Sequence, residues 1–356
     1  VAGWLPTVPA TLASLALMAA YWGLCWLLLT YRGLCVLLAW PWLAAALSLL
    51  AIMVFRELTE GRMRRWITDA FKQYNSPEMV DDILANPESL ALGGQRREMT
   101  VYFSDIAGFT SLSERLEPPQ LNAFLQRYLG KMTDLLYEQK VTLDKYIGDA
   151  VVAFAGAPLA QSDHAARCLR AALAHLRALP LLNEQLHAEG ILPADTPLRI
   201  RIGISSGPMA VGNFGSEQHF SYTVIGDTVN VGARLEGACR RFGTTVLVAA
   251  STQAQAGDEF LLRRIGPVRF VGKTEAIDVY ELLDPDVPGA RDGLDEYHAA
   301  LKEFEGGWYY EAKLKFEAVM AVRPDDGPTR AYLERIDGLL RDGISAPPGP
   351  WDLTEK

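Results

Sequence analysis

Residues 142–154 read TLDKYIGDAVVAF. Two short apolar runs, 142–147 and 150–154, flank Gly148-Asp149, a dipeptide that closes a tight hairpin. Working outward, 99–103 is apolar enough for a buried strand and 120–137 has the spacing of an amphipathic helix. Downstream come a long helix over 165–186, an alternating strand over 198–205 and a helix over 228–240. Further strands follow near 245–248, 261–271 and 277–282. Strand, helix, hairpin, helix, strand is the ferredoxin-like order, which predicts an α+β domain whose antiparallel sheet is covered by helices on one face. Asn86-Pro87 and Gly93-Gly94 break the chain before this domain, and Asp284-Pro285 ends it.

The chain has 356 residues, room for about two domains at roughly 150 residues each. It carries 34 Lys+Arg against 43 Asp+Glu, a net charge of −9. Arg32 is the one charged residue in 1–55, so the remainder is an acidic body, which argues against nucleic acid as the main partner. With 49% hydrophobic residues, disorder is excluded. Cys25, Cys35, Cys168 and Cys239 form no CxxC pair, which argues against a disulfide framework or structural zinc.

Residues 12–29 and 33–55 carry no charge, and a bilayer core of about 30 Å needs about 20 apolar residues in a helix. Residues 1–55 are therefore expected to form a transmembrane hairpin in contact with membrane lipid, kinked at Pro41. Trp22 and Trp26, inside the first span, are expected to pack between helices. Arg56, Arg62, Arg64 and Arg65 crowd the exit of the second span, which puts the exit in the cytoplasm. Residues 56–95 read as a helical connector, and 96–283 as the α+β domain. In 284–344, Tyr297, Ala300, Phe304, Trp308, Ala312, Phe316 and Pro324 have the spacing of one tetratricopeptide-like helical hairpin. A lone copy is expected to pack on the main domain or on a partner chain. Residues 345–356 carry no structural signal and read as a flexible tail.

Three strings carry chemistry. In Phe103-Ser104-Asp105-Ile106-Ala107-Gly108-Phe109-Thr110, a carboxylate at a strand end precedes a glycine turn whose backbone N–H groups can cradle phosphates. In Leu143-Asp144-Lys145-Tyr146-Ile147-Gly148-Asp149-Ala150, a second carboxylate sits at the hairpin tip. Two carboxylates on adjacent strand ends can bind two divalent ions. The third runs from Ser221 to Glu236; there Asp227 can cap a helix, and Asn230 and Arg234, four apart, share one of its faces.

Together these strings resemble the catalytic domain of the class III adenylyl cyclases, a family that includes guanylyl cyclases, over residues 96–283. The resemblance implies conversion of ATP to 3′,5′-cyclic AMP and pyrophosphate in a head-to-tail homodimer with shared sites. It implies Asp105, Asp149 and the Ile106 carbonyl as ligands to Mg²⁺ or Mn²⁺, two per active site. From the other protomer it implies Lys145 and Thr223 on the base, Asn230 on the ribose, and Arg234 and Lys273 on the phosphates. Gly108, Phe109 and Thr110 complete the substrate-binding set. Lys145 is donor-only and suits adenine N1, while the Thr223 hydroxyl can accept from N6. Ala107, His219 and Ser221 depart from residues common in the family.

The alternatives are a guanylyl cyclase or a catalytically silent dimerisation module. Gly272-Lys273-Thr274 ends like a P-loop, but the required earlier glycine is Pro267. The whole arrangement resembles bacterial membrane receptors with a CHASE-type sensor upstream, which places the cyclase on the cytoplasmic side of the cell membrane.

Overall fold

The structure, a computed structural model, describes residues 7–32, 46–48, 50, 93–193, 195–216, 220–344 and 346–353. The chain divides into two compact units, residues 1–74 and 75–356. In the first, α1 (Thr7–Arg32) is a continuous 26-residue helix. Trp22 and Trp26, expected to pack between helices, are exposed on it, as are Leu24, Leu27 and Leu29. Among the described residues no helix is long and apolar enough to cross a membrane, so the hairpin expected over 1–55 is not supported. Most of the second span and of the 56–95 connector lie outside the described residues.

The second unit begins with β1 (Gly93–Ile106), α2 (Phe109–Ser113), α3 (Pro118–Glu138), β2 (Thr142–Ile147) and β3 (Ala150–Ala155). Then come α4 (His164–Ala188), β4 (Ile200–Gly215), β5 (Phe220–Ile225), α5 (Asp227–Phe242) and β6 (Val246–Ala249). The series continues with α6 (Ala250–Ala256), β7 (Leu261–Phe270), β8 (Ile277–Leu283), α7 (Leu294–Glu305), α8 (Tyr309–Val322), α9 (Gly327–Arg341) and β9 (Trp351–Leu353). One sheet runs β2-β3-β1-β4-β6-β8-β7-β9, with β5 paired to the outer part of β4. Its first four strands have the expected ferredoxin-like order. The β4–β6 and β7–β9 pairs are parallel, so the sheet is mixed rather than purely antiparallel.

Helices cover both faces, not one. Tyr102 and Ile106 of β1 pack with Phe124, Tyr128 and Met132 of α3 and with Cys168 and Leu169 of α4. The other face of β1 and β4 receives α5 at close range. A Cβ on Gly203 would lie 2.2 Å from the Glu236 nitrogen and 2.2 Å from the Gly232 oxygen, and one on Gly232 would lie 2.8 Å from Val101 Cγ1. Only glycine at both positions lets the helix backbone rest on the strands, and this contact fixes where α5 presents its side chains.

Gly93-Gly94 do not break the chain; they begin β1, opposite Asn213 and Gly212 of β4. The 284–344 segment packs on the main domain, as expected of a lone repeat, but it has a third helix, α9. Tyr297, Phe304, Phe316 and Tyr332 form one core with Phe242 and Val279. The tail is not free either. Trp351, 5% exposed, stacks edge-on against Phe242 and Tyr332 at 5.2 Å each, and β9 adds to β7 at Val268↔Trp351. The buried indole, together with Arg335 donating to the Gly349 and Pro350 carbonyls, holds the segment in place.

Candidate active site

Strand register brings the acidic residues together. Ser104 pairs with Val151 of β3, so the next residues of β1 meet the hairpin tip, and Asp149 Oδ2 accepts the Ile106 N–H at 3.1 Å. Burial, reinforced by the neighbouring Asp105 carboxyl and opposed by hydrogen bonds from backbone N–H groups, pushes the Asp149 carboxyl up to about 6. Gly108 follows in a left-handed conformation, φ 79°, at the start of α2. Phe109 packs against the α3–α4 core while Thr110 is exposed, so this turn offers a ligand its backbone and the Thr110 hydroxyl.

Two groups that sequence reasoning missed sit at this corner. Arg201, directly opposite Asp105 across β1–β4, donates from Nη2 to Asp105 Oδ2 at 2.9 Å. Its Nε lies 3.2 Å from Glu236 Oε1, within ion-pair reach but without hydrogen-bond alignment. Burial, helped by the Asp105 charge and less by Asp149 and opposed by Arg201, pushes Glu236 up to about 7. Arg201 falls in the strand read over 198–205, but only the pairing register reveals its partner.

Lys145 and Thr223 also meet within one chain. Lys145 Nζ donates to Thr223 Oγ1 at 3.1 Å, and the Thr223 hydroxyl donates to Asp144 Oδ2 at 2.7 Å. Lys145 lies within β2 beside Thr223, whereas Asp149 lies in the β2–β3 turn beside Ile106, so base readers and acidic pair are separate places on one protomer.

α5 carries Asn230, exposed, and Arg234, half-buried. Among the described residues neither side chain has a hydrogen-bond or ion-pair partner. Glu236 is two residues beyond Arg234, about 200° around the helix. The face of α5 that turns Glu236 toward Asp105 therefore points Arg234 and Asn230 elsewhere. Asp227 does not cap the helix, as its sequence position suggests; Gly226 is the N-cap, and Asp227 pairs with Lys273 from the β7–β8 turn. Gly272-Lys273-Thr274 lies between strands, away from any helix start, as its rejection as a P-loop requires.

Residues 94–283 match the family model described as the adenylate and guanylate cyclase catalytic domain. The chain belongs to this family. Adenylate cyclase 1 of Rhizobium meliloti is 35% identical over 199 residues, 55% of this chain and 29% of its own length. An adenylate cyclase of Anabaena cylindrica is 32% identical over 227 residues, 63% of this chain and 43% of its own. The crystal structure of the adenylyl cyclase CyaB from P. aeruginosa is 34% identical with a TM-score of 0.51, covering 55% of this chain and 100% of that one. The chain spans less than half the length of these curated relatives.

Members of the cyclase family use divalent metals. Among the described residues no three His, Cys, Asp or Glu side chains are grouped to hold one. The Asp105 and Asp149 carboxylates with the Ile106 carbonyl nevertheless form an all-oxygen donor set, the kind that suits Mg²⁺ or Mn²⁺. Mg²⁺ is usually held by only one or two carboxylates, with water and substrate phosphates completing its shell. The Asp105 and Asp149 carboxylates lie side by side at this corner, and a dication would relieve the repulsion between them, so these residues fit the group.

Proposed function

We propose that the protein is an adenylate cyclase that closes ATP to 3′,5′-cyclic AMP and releases pyrophosphate at two equivalent sites, each built by two copies of the chain. The observation that carries the substrate is the Lys145–Thr223 contact inside a cyclase-family domain. A donor-only ammonium beside a hydroxyl acceptor matches adenine N1 and N6, and mismatches guanine, whose N1 donates and whose O6 accepts. The observation that supports sharing is the rotation of Arg234 and Asn230 away from Asp105 on α5. A twofold-related copy would bring those two residues opposite the acidic pair.

Asp105, Asp149 and the Ile106 carbonyl would hold the divalent ions, two per site. When bound, these ions supply Lewis acidity toward the 3′-hydroxyl and charge neutralisation along the triphosphate. The chain's own groups do the rest. Lys145 and Thr223 seat the base, and Asn230 holds the ribose so that the 3′-oxygen lies in line with the α-phosphorus. Arg234 and Lys273 face the phosphates and stabilise the charge that develops as the bond to pyrophosphate breaks. For Lys273 this requires exchanging Asp227 for phosphate. The turn at Gly108, Phe109 and Thr110 lies beside the acidic pair, where its backbone can meet the triphosphate.

Segment 1–55, whose one charged residue is Arg32, followed by Arg56, Arg62, Arg64 and Arg65, supports anchoring in the cell membrane with the cyclase on the cytoplasmic side.

Turnover of purified protein with ATP or GTP in Mg²⁺ or Mn²⁺ tests the function. Cyclic AMP as the dominant product is expected. Dominant cyclic GMP would make it a guanylyl cyclase, and nucleotide binding without product would make it a silent module. The double variant Lys145→Glu, Thr223→Cys is expected to shift the ATP:GTP ratio of kcat/KM toward GTP by at least about 100-fold. An unchanged ratio would contradict the base assignment.

A further inference from the structure

Asp144 is a buried carboxylate behind the base readers. Its side chain is 3% exposed, Oδ2 accepts the Thr223 hydroxyl at 2.7 Å, and Oδ1 lies 3.4 Å from Lys145 Nζ, an ion pair without hydrogen-bond alignment. Burying a carboxylate is unfavourable unless it is paired, and the partners of Asp144 are the two base readers themselves. The backbone is also adapted to it. In a regular strand Asp144 and Lys145 would point to opposite faces. The β2–β3 register shifts between Leu143 and Lys145, placing the irregularity at Asp144. Such bulges re-aim side chains, and here both neighbours reach the same Thr223 oxygen.

The consequence lies in where one proton goes. A threonine hydroxyl has one O–H and two lone pairs and rotates to suit its surroundings. An ionised carboxylate can only accept, so Asp144 takes the Thr223 proton to its own side. Burial raises the Asp144 carboxyl, while the bonds from Thr223 and Lys145 favour its charged form. With one lone pair accepting from Lys145, Thr223 then presents toward the nucleotide a lone pair and no proton.

We propose that Asp144 is the positioning residue for base choice: by holding the Thr223 proton, it turns an ambivalent hydroxyl into an obligate acceptor that fits adenine's 6-amino group and repels the 6-oxo group of guanine. The proposal rests on the adenylate cyclase reading. Without Asp144, Thr223 could rotate and donate to a guanine O6, so selectivity would fall rather than activity as a whole.

The test uses the full chain with Asp144→Asn, which keeps shape but can donate to Thr223, and Asp144→Ala, which removes the acceptor should the Asn variant not fold. Two ratios are measured for each: kcat/KM for ATP over GTP, and binding of 3′-deoxy-ATP over 3′-deoxy-GTP, which cannot cyclise. Both ratios are expected to fall at least about tenfold. Thr223→Ser, which keeps the hydroxyl, is expected to keep both ratios near wild type, whatever its effect on rate. In a Thr223→Val background, Asp144→Asn should leave the ratios unchanged. Equal losses for both nucleotides, as from lost packing or a lost Lys145 counter-ion, would overturn the proposal, as would an undiminished effect in the Val background. Wild-type protein that cyclises neither nucleotide would sink the functional reading alone, because the binding ratios still test Asp144.

Discussion

Arg234→Ala is expected to lower kcat for ATP cyclisation by about 10²–10³-fold, the loss typical when one preorganised transition-state donor is removed. KM should change far less, because the charge Arg234 meets grows only as the pyrophosphate bond breaks. The side chain is half-buried on α5, clear of the core formed by Val231, Leu235 and Cys239 on the same helix, so its truncation should leave folding intact. Arg234→Lys keeps the charge but loses the planar fork and should recover only part of the rate. Steady-state kinetics alongside a thermal melt check this. A tenfold rise in KM with kcat unchanged would mean that Arg234 serves ground-state binding instead.

The second large effect concerns stability and lies far from the nucleotide. Arg263, 1% exposed, donates from Nε to Glu281 Oε2 at 2.9 Å and from Nη1 to Asp326 Oδ1 at 2.7 Å, with its guanidinium 4.7 Å from the Tyr297 ring centre. Asp326 also caps α9 by accepting the Thr329 N–H at 3.1 Å. One cation therefore ties β7 and β8 to the helical tail. Arg263→Met strands the buried Glu281 and leaves Asp326 only Thr329 and the Arg323 ion pair at 3.5 Å, so stability should drop by about 3–5 kcal/mol. Replacing Arg263, Glu281 and Asp326 together with apolar residues of similar volume should recover most of that, because the loss comes from stranded charge. Urea unfolding monitored by tryptophan fluorescence reads both. A loss under about 1 kcal/mol for Arg263→Met would show that water reaches the pair.

Much of this arrangement is legible in the sequence, and the remainder is hidden for identifiable reasons. Gly148-Asp149 between apolar runs announces the hairpin because turn chemistry is local, and the helix carrying Asn230 and Arg234 follows from its period. Arg201 and Asp144 were not found, because each gains meaning from a partner remote in sequence. Arg201 opposes Asp105 only through the β1–β4 register, and Asp144 reaches Thr223 only through a strand irregularity. Glu236 follows Arg234 by two residues and reads as helix surface until Gly203 and Gly232 bring α5 onto the sheet. The same close packing explains why the sheet is covered on both faces. Trp351 lies in a proline-rich stretch without periodicity, and its strand exists because β7 offers an edge and the tail core offers an aromatic pocket.

Sharing of sites between copies is tested most directly by mixing two inactive proteins. Asp105→Ala lacks an acidic ligand and Arg234→Ala lacks the phosphate contact, so each homodimer should be silent. In a heterodimer, one site inherits both defects and the other inherits neither. After equal mixing and full subunit exchange, cyclic AMP production should return to roughly a quarter of wild type. No recovery, with exchange demonstrated by a labelled subunit, would mean that Asp105 and Arg234 serve the same nucleotide from one chain, or serve none.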